Sequence, residues 1–596
     1  MGLWHFRRGE FTEAENHFRR AIERLTRRNA NPRDGEAFYN LGVCLRYLNR
    51  DTEAYDALSK AVWNQAWVAA GRHALAEIDC ARKNWTAAGE HLSQSLRHDT
   101  DNLRARNLLV MVSRMLGREE EAGSILRETL ALDPLDWWAR MLKPEPLGCD
   151  LQTRLDIAHD LARAGFVTLA IAALKTGPAP DGDLPTQNLG AAPLVEYTLG
   201  WLWEKQGGGK TAARHFRRAA ALSPDYCFPS RLEEIAVFET AMRANPRDAR
   251  ARYYLGNLLY DRRRHDEAIR LWEKSARLDP GYSVVWRNLG IGCFNLRHDA
   301  ARARAHYDRA FRLNPADARL LHERDQLWKR LGETPGRRLR DLNKHPALVA
   351  RRDDLSVELC ALLNQTGRPV QATQLLAQRC FQPWEGGEGA ALGQHVRAQL
   401  SLGRQALACQ DYPRALSHFE NALHPPKNLG ETWHPLANQS DVLHWLGCAA
   451  AAMGEKKKAR GHWLAAANSK GDFQEMRARP FSEMTYYSAL AMERLGQKGK
   501  ARKLLGNLLS HAVALAKTPA KIDYFATSLP TMPLFEDDLE FRRRTTAMFL
   551  QAQAHIGLGR KGKGRALLEA VLRRDPNHAP AWDLRAEMDN PPNARR

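Results

Sequence analysis

Small and large apolar residues recur along this chain at a fixed interval. Ala54, Ala88 and Ala122 lie 34 residues apart, and a leucine follows each of them four residues later. Apolar positions spaced three and four residues apart predict amphipathic α-helices. Because a period of 34 residues has room for two such helices, it predicts a helix pair as the unit and a stack of units as the fold.

The clearest unit covers residues 249–282. It has Gly256 on its first helix, Trp272 on its second and Pro280 after the second. Two helices that cross closely need small residues at the crossing, and large residues fill the space beside it. Proline has no amide hydrogen to continue a helix, so it marks the end of the unit. The next unit repeats the pattern, with Gly290 again 34 residues after Gly256.

This combination of period, small and large positions and terminal proline resembles the tetratricopeptide repeat (TPR). Similar units lie at 35–68, 69–102, 103–136, 193–226, 396–427 and 440–470, and degenerate ones surround 151–176, 484–512 and 546–578. The resemblance implies an all-α fold, a right-handed α-solenoid of about ten to thirteen TPR-like helix pairs with irregular loop insertions. The large apolar residues of these units are then core residues.

Three stretches interrupt the repeat and suggest where to divide it. Residues 143–150 and 176–193 are rich in proline and glycine, and the helices of 316–395 are hard to phase. We therefore expect an N-terminal TPR array over 1–142, a central array over 143–340 and a C-terminal TPR-like array with irregular loops over 341–596.

The repeat that opens the chain is predicted to be incomplete. A helix from Phe11 to Leu25 has Ala14 and Phe18 at second-helix positions, and only ten residues precede it. A second helix without its first would leave an apolar face uncovered, which solenoids avoid. We expect a truncated chain or upstream sequence that is not included.

Several segments outside the repeat are similar to an uncharacterised bacterial family. They are Asn31–Glu36, Trp63–Trp67, Pro383–Gly389, Arg479–Tyr487 and Lys521–Pro530. Members of that family carry an N-terminal β-sandwich region, related to galactose-mutarotase-like domains, before a long TPR region. The N-terminal region of the family is absent from this sequence. The resemblance covers the whole chain and implies an association with carbohydrate metabolism. It implies no catalytic residue here, and it makes the absent domain one candidate partner.

Charge and composition narrow the classes of function. The formal net charge is +20, but Lys and Arg are spread through nearly every predicted helix and interleaved with Asp and Glu. No basic run carries the aromatic residues that stack on bases, which argues against nucleic-acid binding. The nine cysteines are scattered without a C-x-x-C pair, so we expect no metal site.

Location and catalysis are also constrained by what the sequence lacks. The first residues turn charged too early for a secretory signal, and no stretch approaches the ~18 uncharged apolar residues of a membrane helix. The common motifs of zinc proteases, dinucleotide-binding proteins, serine hydrolases and P-loop proteins are missing. We expect a cytoplasmic scaffold that binds a protein partner through its concave groove and loops, without cofactor or catalysis.

Polar residues on first helices are the candidate peptide-binding residues. Asn257 is ninth in its unit, Asn288 is sixth in the next unit, and Asn40 is sixth in another. Asparagines at these positions resemble those of peptide-clamping TPR domains, where their amides hold a peptide backbone. Tyr253 stands where such a clamp has lysine, so we predict a looser groove formed by Asn257, Arg287 and Asn288. The alternative is that these are solvated polar residues.

An irregular loop suggests a second kind of site. Trp384, Glu385 and Glu388 lie in a glycine-rich stretch, and Glu431 and Trp433 lie in another irregular connection. Tryptophan stacks on sugar faces and carboxylates accept hydrogen bonds from hydroxyls, so these residues are candidates for saccharide binding. That function needs four irregular segments to gather, namely 381–389, 428–434, 479–487 and 521–535. The alternative is an exposed connector that caps a neighbouring helix.

Overall fold

The computed structural model describes residues 1–143, 145, 147–175, 190–384, 386–474, 477–520 and 534–589. Nearly all secondary structure in these residues is α-helical. The exceptions are two 3-10 turns (Gln65–Trp67 and Lys427–Leu429) and a short hairpin, β1 (Asp472–Gln474) and β2 (Arg477–Arg479). The chain divides into two compact units, unit 1 (Met1–Leu289) and unit 2 (Gly290–Arg596). The predicted all-α fold is therefore confirmed.

The helices of unit 1 form consecutive antiparallel pairs, apart from two single helices, α9 and α14. They are α1 (Gly2–Arg7), α2 (Phe11–Thr26), α3 (Glu36–Tyr47), α4 (Asp51–Ala61), α5 (Val68–Ala81), α6 (Trp85–His98), α7 (Leu103–Met115), α8 (Glu119–Leu132), α9 (Trp137–Met141), α10 (Leu151–Arg163), α11 (Val167–Lys175), α12 (Ala192–Lys205), α13 (Gly209–Ala221), α14 (Glu233–Ala244), α15 (Ala249–Asp261), α16 (His265–Leu278) and the start of α17 (Ser283–Asn295).

Unit 2 continues the same construction after a less regular start. Its helices are the end of α17, α18 (Ala300–Leu313), α19 (Ala318–Arg330), α20 (Pro335–Leu342), α21 (Pro346–Val349), α22 (Asp353–Gln365), α23 (Pro369–Ala377), α24 (Ala390–Ala408), α25 (Tyr412–Leu423), α26 (Ser440–Ala452), α27 (Lys456–Asn468), α28 (Met484–Arg494), α29 (Lys498–Lys517), α30 (Leu539–Gly557), α31 (Lys561–Arg574) and α32 (Ala579–Asp589).

Small residues let the two helices of a pair approach closely, as the sequence pattern predicts. A Cβ atom on Gly256 would lie 2.5 Å from Nε1 of Trp272 on the next helix. The same pairing recurs between Gly200 and Phe216, where the aromatic ring is fully buried. Each glycine therefore marks a point where no larger side chain fits, and the stacked pairs form the solenoid.

The opening of the chain includes a helix before α2. Residues Gly2–Arg7 form a six-residue helix that packs on α2. A Cβ atom on Gly2 would lie 2.6 Å from the Phe18 ring, which repeats the contact of the later pairs. A first helix therefore precedes α2, and it is shorter than the first helices of the other pairs. The prediction that this repeat is incomplete stays a prediction.

The array of unit 1 closes on itself. Arg264, at the start of α16, donates a hydrogen bond to the carbonyl oxygen of Gly9 at 3.2 Å, and Arg8 donates to that of Arg263 at 3.0 Å. The first-helix faces are bridged by Arg163, which reaches Glu233 on α14 at 2.9 Å and Glu77 on α5 at 3.5 Å. These ion pairs occupy part of the inner surface of the unit.

Unit 2 closes through its last helix. Asn577, just before α32, accepts a hydrogen bond from Arg338 at 2.7 Å and donates to the carbonyl oxygen of Glu333 at 3.0 Å. On α32 itself, Asp583 pairs with Arg397 of α24 at 2.7 Å. The first helices of unit 2 are thus covered in part by the chain's own last helix. The predicted array boundaries after residues 142 and 340 stay predictions.

Candidate functional site

The candidate asparagines lie on two neighbouring first helices. Asn257 is on α15, and Asn288 is on α17. Asp248 immediately precedes α15, and its carboxylate accepts a hydrogen bond from the amide of Ala251 at 2.9 Å. This cap stabilises the first turn of α15. The adjacent repeats therefore place both asparagines on the same face.

The two asparagines form a hydrogen-bonded pair. Nδ2 of Asn288 donates to Oδ1 of Asn257 at 2.8 Å, and Nε1 of Trp272 donates to the same oxygen at 3.1 Å. Nη1 of Arg287 donates to Oδ1 of Asn288 at 3.2 Å. Both amide oxygens are therefore engaged, and the rotamers of both side chains are restricted.

The unused groups of this pair are donors. No described residue accepts a hydrogen bond from Nδ2 of Asn257, which is half-buried. Asn288 is only 8% exposed, and its Nδ2 has a second hydrogen beyond the one given to Asn257. The arrangement offers N–H groups that suit the carbonyl oxygens of a peptide backbone.

The surroundings of the pair are aromatic. Tyr253 is 8% exposed and packs edge-on against Tyr282, with ring centroids 5.0 Å apart. Burial raises the pKa of Tyr282 well above its usual value, so the hydroxyl stays neutral. The guanidinium of Arg250 covers the Tyr282 ring at 3.2 Å from its centroid. The tyrosine in place of the clamp lysine is thus a packing residue.

Asn40 is not part of this pair. Its Nδ2 donates to the carbonyl oxygen of Glu36, one turn earlier on α3, at 2.9 Å. That contact is local to the helix and exposed. Asn40 as a peptide-binding residue stays a prediction.

The candidate saccharide residues lie in two segments that contact each other. The ring of Trp384 covers Gly387, and the amide of Gly387 donates to the carbonyl oxygen of Trp384 at 3.0 Å. Glu388 is exposed and has no hydrogen-bond partner among the described residues, and Glu385 lies outside them.

The other two saccharide candidates hold the fold together. The Glu431 carboxylate accepts hydrogen bonds from the amides of Gly389 at 2.6 Å and Leu392 at 2.9 Å, so it caps α24. Nε1 of Trp433 donates to the carbonyl oxygen of Ala422 at 3.1 Å. A sugar would have to compete with these contacts.

The gathering of irregular segments extends to the hairpin. His434 stacks on Phe473 of β1 with ring centroids 4.1 Å apart, which links segment 428–434 to the hairpin before 479–487. The fourth segment, 521–535, lies outside the described residues except for its last two positions. Lys521–Pro530, one of the stretches that carry the family resemblance, lies wholly outside them.

Sequence reasoning missed two buried ionic clusters. In unit 2, Arg338 is fully buried and pairs with Asp325 and Glu358, the latter at 2.6 Å. In unit 1, burial raises the pKa of Glu77, but the guanidiniums of Arg46 and Arg163 outweigh burial and lower it to about 2. The ion-pair partners in each cluster lie on different helices, so the sequence does not show that they meet. The one signal in the sequence is an ionisable residue at a position that faces the core.

Metal and membrane sites find no support in the described part of the chain. No group of three or more His, Cys, Asp or Glu residues there is placed to hold a metal ion. None of the helices described is both long enough and apolar enough to cross a bilayer.

Comparison with known proteins identifies the repeat. Two tetratricopeptide-repeat family models match, one over residues 1–70 and 235–283 and the other over 546–578. The chain therefore carries TPR repeats. Among curated proteins, the mouse protein O-mannosyl-transferase TMTC1 is 33% identical over 107 residues, which are 17% of this chain and 11% of that protein. The chain thus spans a small part of this relative.

Two solved structures are similar at low identity. The crystal structure of yeast Tom70 is 12% identical, has a TM-score of 0.24 and is matched over 80% of this chain and 91% of that one. The structure of Naa15/Naa10 bound to HypK-THB is 13% identical, has a TM-score of 0.22 and is matched over 98% and 89%. Because both TM-scores are low, the repeat assignment rests on the family models and the helix packing.

Proposed function

We propose that the protein is a protein-interaction scaffold without catalysis of its own, and that Asn257, Arg287 and Asn288 hold the backbone of a partner segment. The observation that carries this proposal is the hydrogen bond of 2.8 Å between Asn288 and Asn257. It joins first helices of adjacent repeats. Together with the bonds from Trp272 and Arg287, it occupies both amide oxygens and leaves amide N–H groups of the two asparagines available. Peptide carbonyls are the acceptors that such donors bind.

The position of the pair supports the same proposal. Elsewhere the first-helix faces are partly occupied by the chain itself, through the Arg163 ion pairs in unit 1 and through α32 in unit 2. The face around Asn257 carries aromatic packing and free amide hydrogens instead. A backbone hydrogen bond contributes about 0.5–1.5 kcal/mol, so loss of two donors predicts a fall in affinity of about tenfold or more.

The test is partner capture from host lysate with mass spectrometry, followed by titration of any protein recovered. The variant Asn257→Asp keeps the oxygen that Trp272 and Asn288 bond to and removes the Nδ2 donors. Asn245→Asp is the matched control, because Asn245 uses its oxygen in a turn by accepting from Arg247 at 3.1 Å. We expect capture by the native chain and the control, and weakened binding by Asn257→Asp.

Either of two results would contradict the proposal. If the native chain captures no protein, the scaffold function is contradicted. If a partner binds the native chain and Asn257→Asp equally well, the proposed role of Asn257 is contradicted. The mass spectrum also decides whether the partner is a β-sandwich domain of the kind that the family resemblance implies. Asn40→Ala, as a separate arm, tests whether the contact extends to α3.

Saccharide binding is the alternative that we keep as a second proposal. The meeting of segments 381–389 and 428–434 at Glu431 supports it, while the capping role of Glu431 counts against it. Titration with galactose and glucose, followed by tryptophan fluorescence, tests it. A signal that saturates in the native chain and is lost in Trp384→Ala supports the alternative, and no signal in the native chain removes it.

A further inference from the structure

Three successive second helices of unit 2 begin with the same basic pattern. The starts of α27, α29 and α31 read Lys456–Arg460, Lys498–Arg502 and Lys561–Arg565. We call these three segments the basic rows. Each has lysine at its first and third positions and arginine at its fifth.

The basic rows are in register with the repeat. The fourth residue of each is small and buried, namely Ala459, Ala501 and Gly564. In a TPR pair this small residue faces the first helix, so the lysines and arginine around it occupy equivalent places in each repeat. Helices α27 to α31 pack consecutively, which aligns the rows along one edge of the unit.

Nearly all of these charges are free. Every Lys and Arg of the basic rows is exposed. Within the described chain, the ion pairs they form are Lys458 with Glu455 at 3.0 Å and Arg565 with Asp589 at 2.8 Å. Exposed Lys503 and Arg560, which lie next to two of the rows, extend the same cationic edge. The edge therefore carries a concentrated positive charge that the even overall composition conceals.

The charge sign is opposite to that at the start of two other second helices, α4 and α8, while α13 and α18 also lack an acidic residue in the first turn. Helix α4 has Asp51 and Glu53 in its first turn, and α8 has three glutamates there. Helices α27, α29 and α31 have no acidic residue in the first turn and no side-chain cap. Cations at a helix N-terminus oppose the helix dipole, so the rows are unfavourable for local stability. Their recurrence in register points to a role in binding.

The other face of unit 2 is already occupied. Asp583 of α32 pairs with Arg397 of α24, and Tyr487 of α28 donates to Glu587 of α32 at 2.9 Å. A partner that binds unit 2 at the edge formed by the basic rows would not have to displace α32, whereas a partner that binds α24 or α28 would compete with it.

We propose that the basic rows dock an acidic segment of a protein partner. Its Asp and Glu carboxylates would lie beside the lysines and supply the acceptors that the three helix starts lack. No aromatic side chain lies within the rows to stack on bases, which disfavours single-stranded nucleic acid. This inference rests on the proposed scaffold function and names a second contact region with a stated partner chemistry.

The test uses the full chain and fluorescently labelled poly-L-glutamate, with binding followed by anisotropy. Each row is reversed in turn by changing its first, third and fifth residues to Glu, as in K456E/K458E/R460E. Since each exposed ion pair is weak, three of them predict a fall in affinity of about tenfold per row. The matched control is K210E/R214E/R217E, which reverses three exposed cations on α13, a second helix of unit 1.

Misfolding is separated from loss of binding by thermal melting. Glutamate at a helix N-terminus complements the dipole, so the row variants are expected to melt no lower than the native chain. Weaker poly-L-glutamate binding in the row variants alone, at an unchanged melting temperature, supports the proposal. Equal binding by the native chain, the row variants and the control overturns it.

A 20-base-pair DNA duplex is the competing probe. Duplex binding that is tighter than poly-L-glutamate binding and lost in the row variants assigns the edge to nucleic acid and overturns the proposal. Failure here is distinct from failure of the scaffold function, because partner capture by the native chain tests that function separately. If native and row-reversed chains capture the same partners equally, the scaffold function stands and docking at the basic rows is overturned.

Discussion

The close approach of helices at Gly403 allows a stability prediction with an internal control. Gly403 on α24 lies against Phe419 on α25, and a Cβ atom there would lie 2.6 Å from Cζ and 2.7 Å from Cδ1 of the ring. Carbon atoms pack at about 3.5–4.0 Å, so the ring would have to move by about 1 Å. Phe419 is fully buried and stacks on Trp445, with centroids 6.3 Å apart, which leaves it little room.

Two opposing effects set the magnitude for Gly403→Ala. Forcing an extra methyl group into a packed core costs about 1–3 kcal/mol. Alanine in place of glycine in a helix gains up to about 1 kcal/mol. The net expectation is a loss of about 1–2 kcal/mol in the free energy of unfolding.

Gly393→Ala, on the same helix, isolates the packing effect. A Cβ atom on Gly393 meets nothing within 4 Å, so this variant has the gain without the clash. We expect Gly393→Ala to be at least as stable as the native chain and more stable than Gly403→Ala by about 1–3 kcal/mol. Urea unfolding followed by circular dichroism measures the difference. Equal midpoints for the two variants would refute the inferred close approach.

Three further predictions concern buried ionisable groups. Arg338→Met should lower the unfolding free energy by about 3–5 kcal/mol, because it leaves Asp325 and Glu358 buried without their partner; a loss under about 1 kcal/mol in urea unfolding would contradict this. Burial raises the pKa of Glu234 from 4.5 to about 7, so its ionisation costs stability as pH rises through this range. Glu234→Gln should therefore gain about 3 kcal/mol at pH 8 but nothing at pH 4. Burial lowers the pKa of His444 to about 3, so the native chain should lose stability as pH falls from about 6.5 towards 3. His444→Gln should flatten this dependence of unfolding free energy on pH. Parallel curves for the variant and the native chain would argue against a buried neutral imidazole.

Local sequence rules predicted the fold well. The small residue on one helix and the large residue on the next, as at Gly256 and Trp272, indicate a close crossing without any knowledge of the rest of the chain. Aspartate before a helix, as at Asp538, likewise indicates a cap, and its carboxylate accepts a hydrogen bond from the amide of Phe541 at 2.8 Å. The short helix Gly2–Arg7 was missed because six residues are too few to show a helical period.

The candidate sites were predicted less completely. Counting positions within the repeat brought out Asn257 and Asn288, but not the hydrogen bond between them or the bond from Trp272. The same counting finds the basic rows once second helices are aligned on their buried small residue. The roles of Glu431 and Trp433 within the fold depend on which backbone groups lie beside them, and the sequence does not show this.

The sequence by itself determined the helix pairs, because their pattern depends on residues within one repeat of each other. Only the tertiary structure decided where the arrays close. Arg264 meets Gly9, and Arg338 meets Asn577, across more than two hundred residues of chain. Such contacts depend on the small rotation from each repeat to the next, which accumulates along the array. No local pattern encodes that sum, so the inner-face ion pairs and the covering of unit 2 by α32 emerge only from the assembled fold.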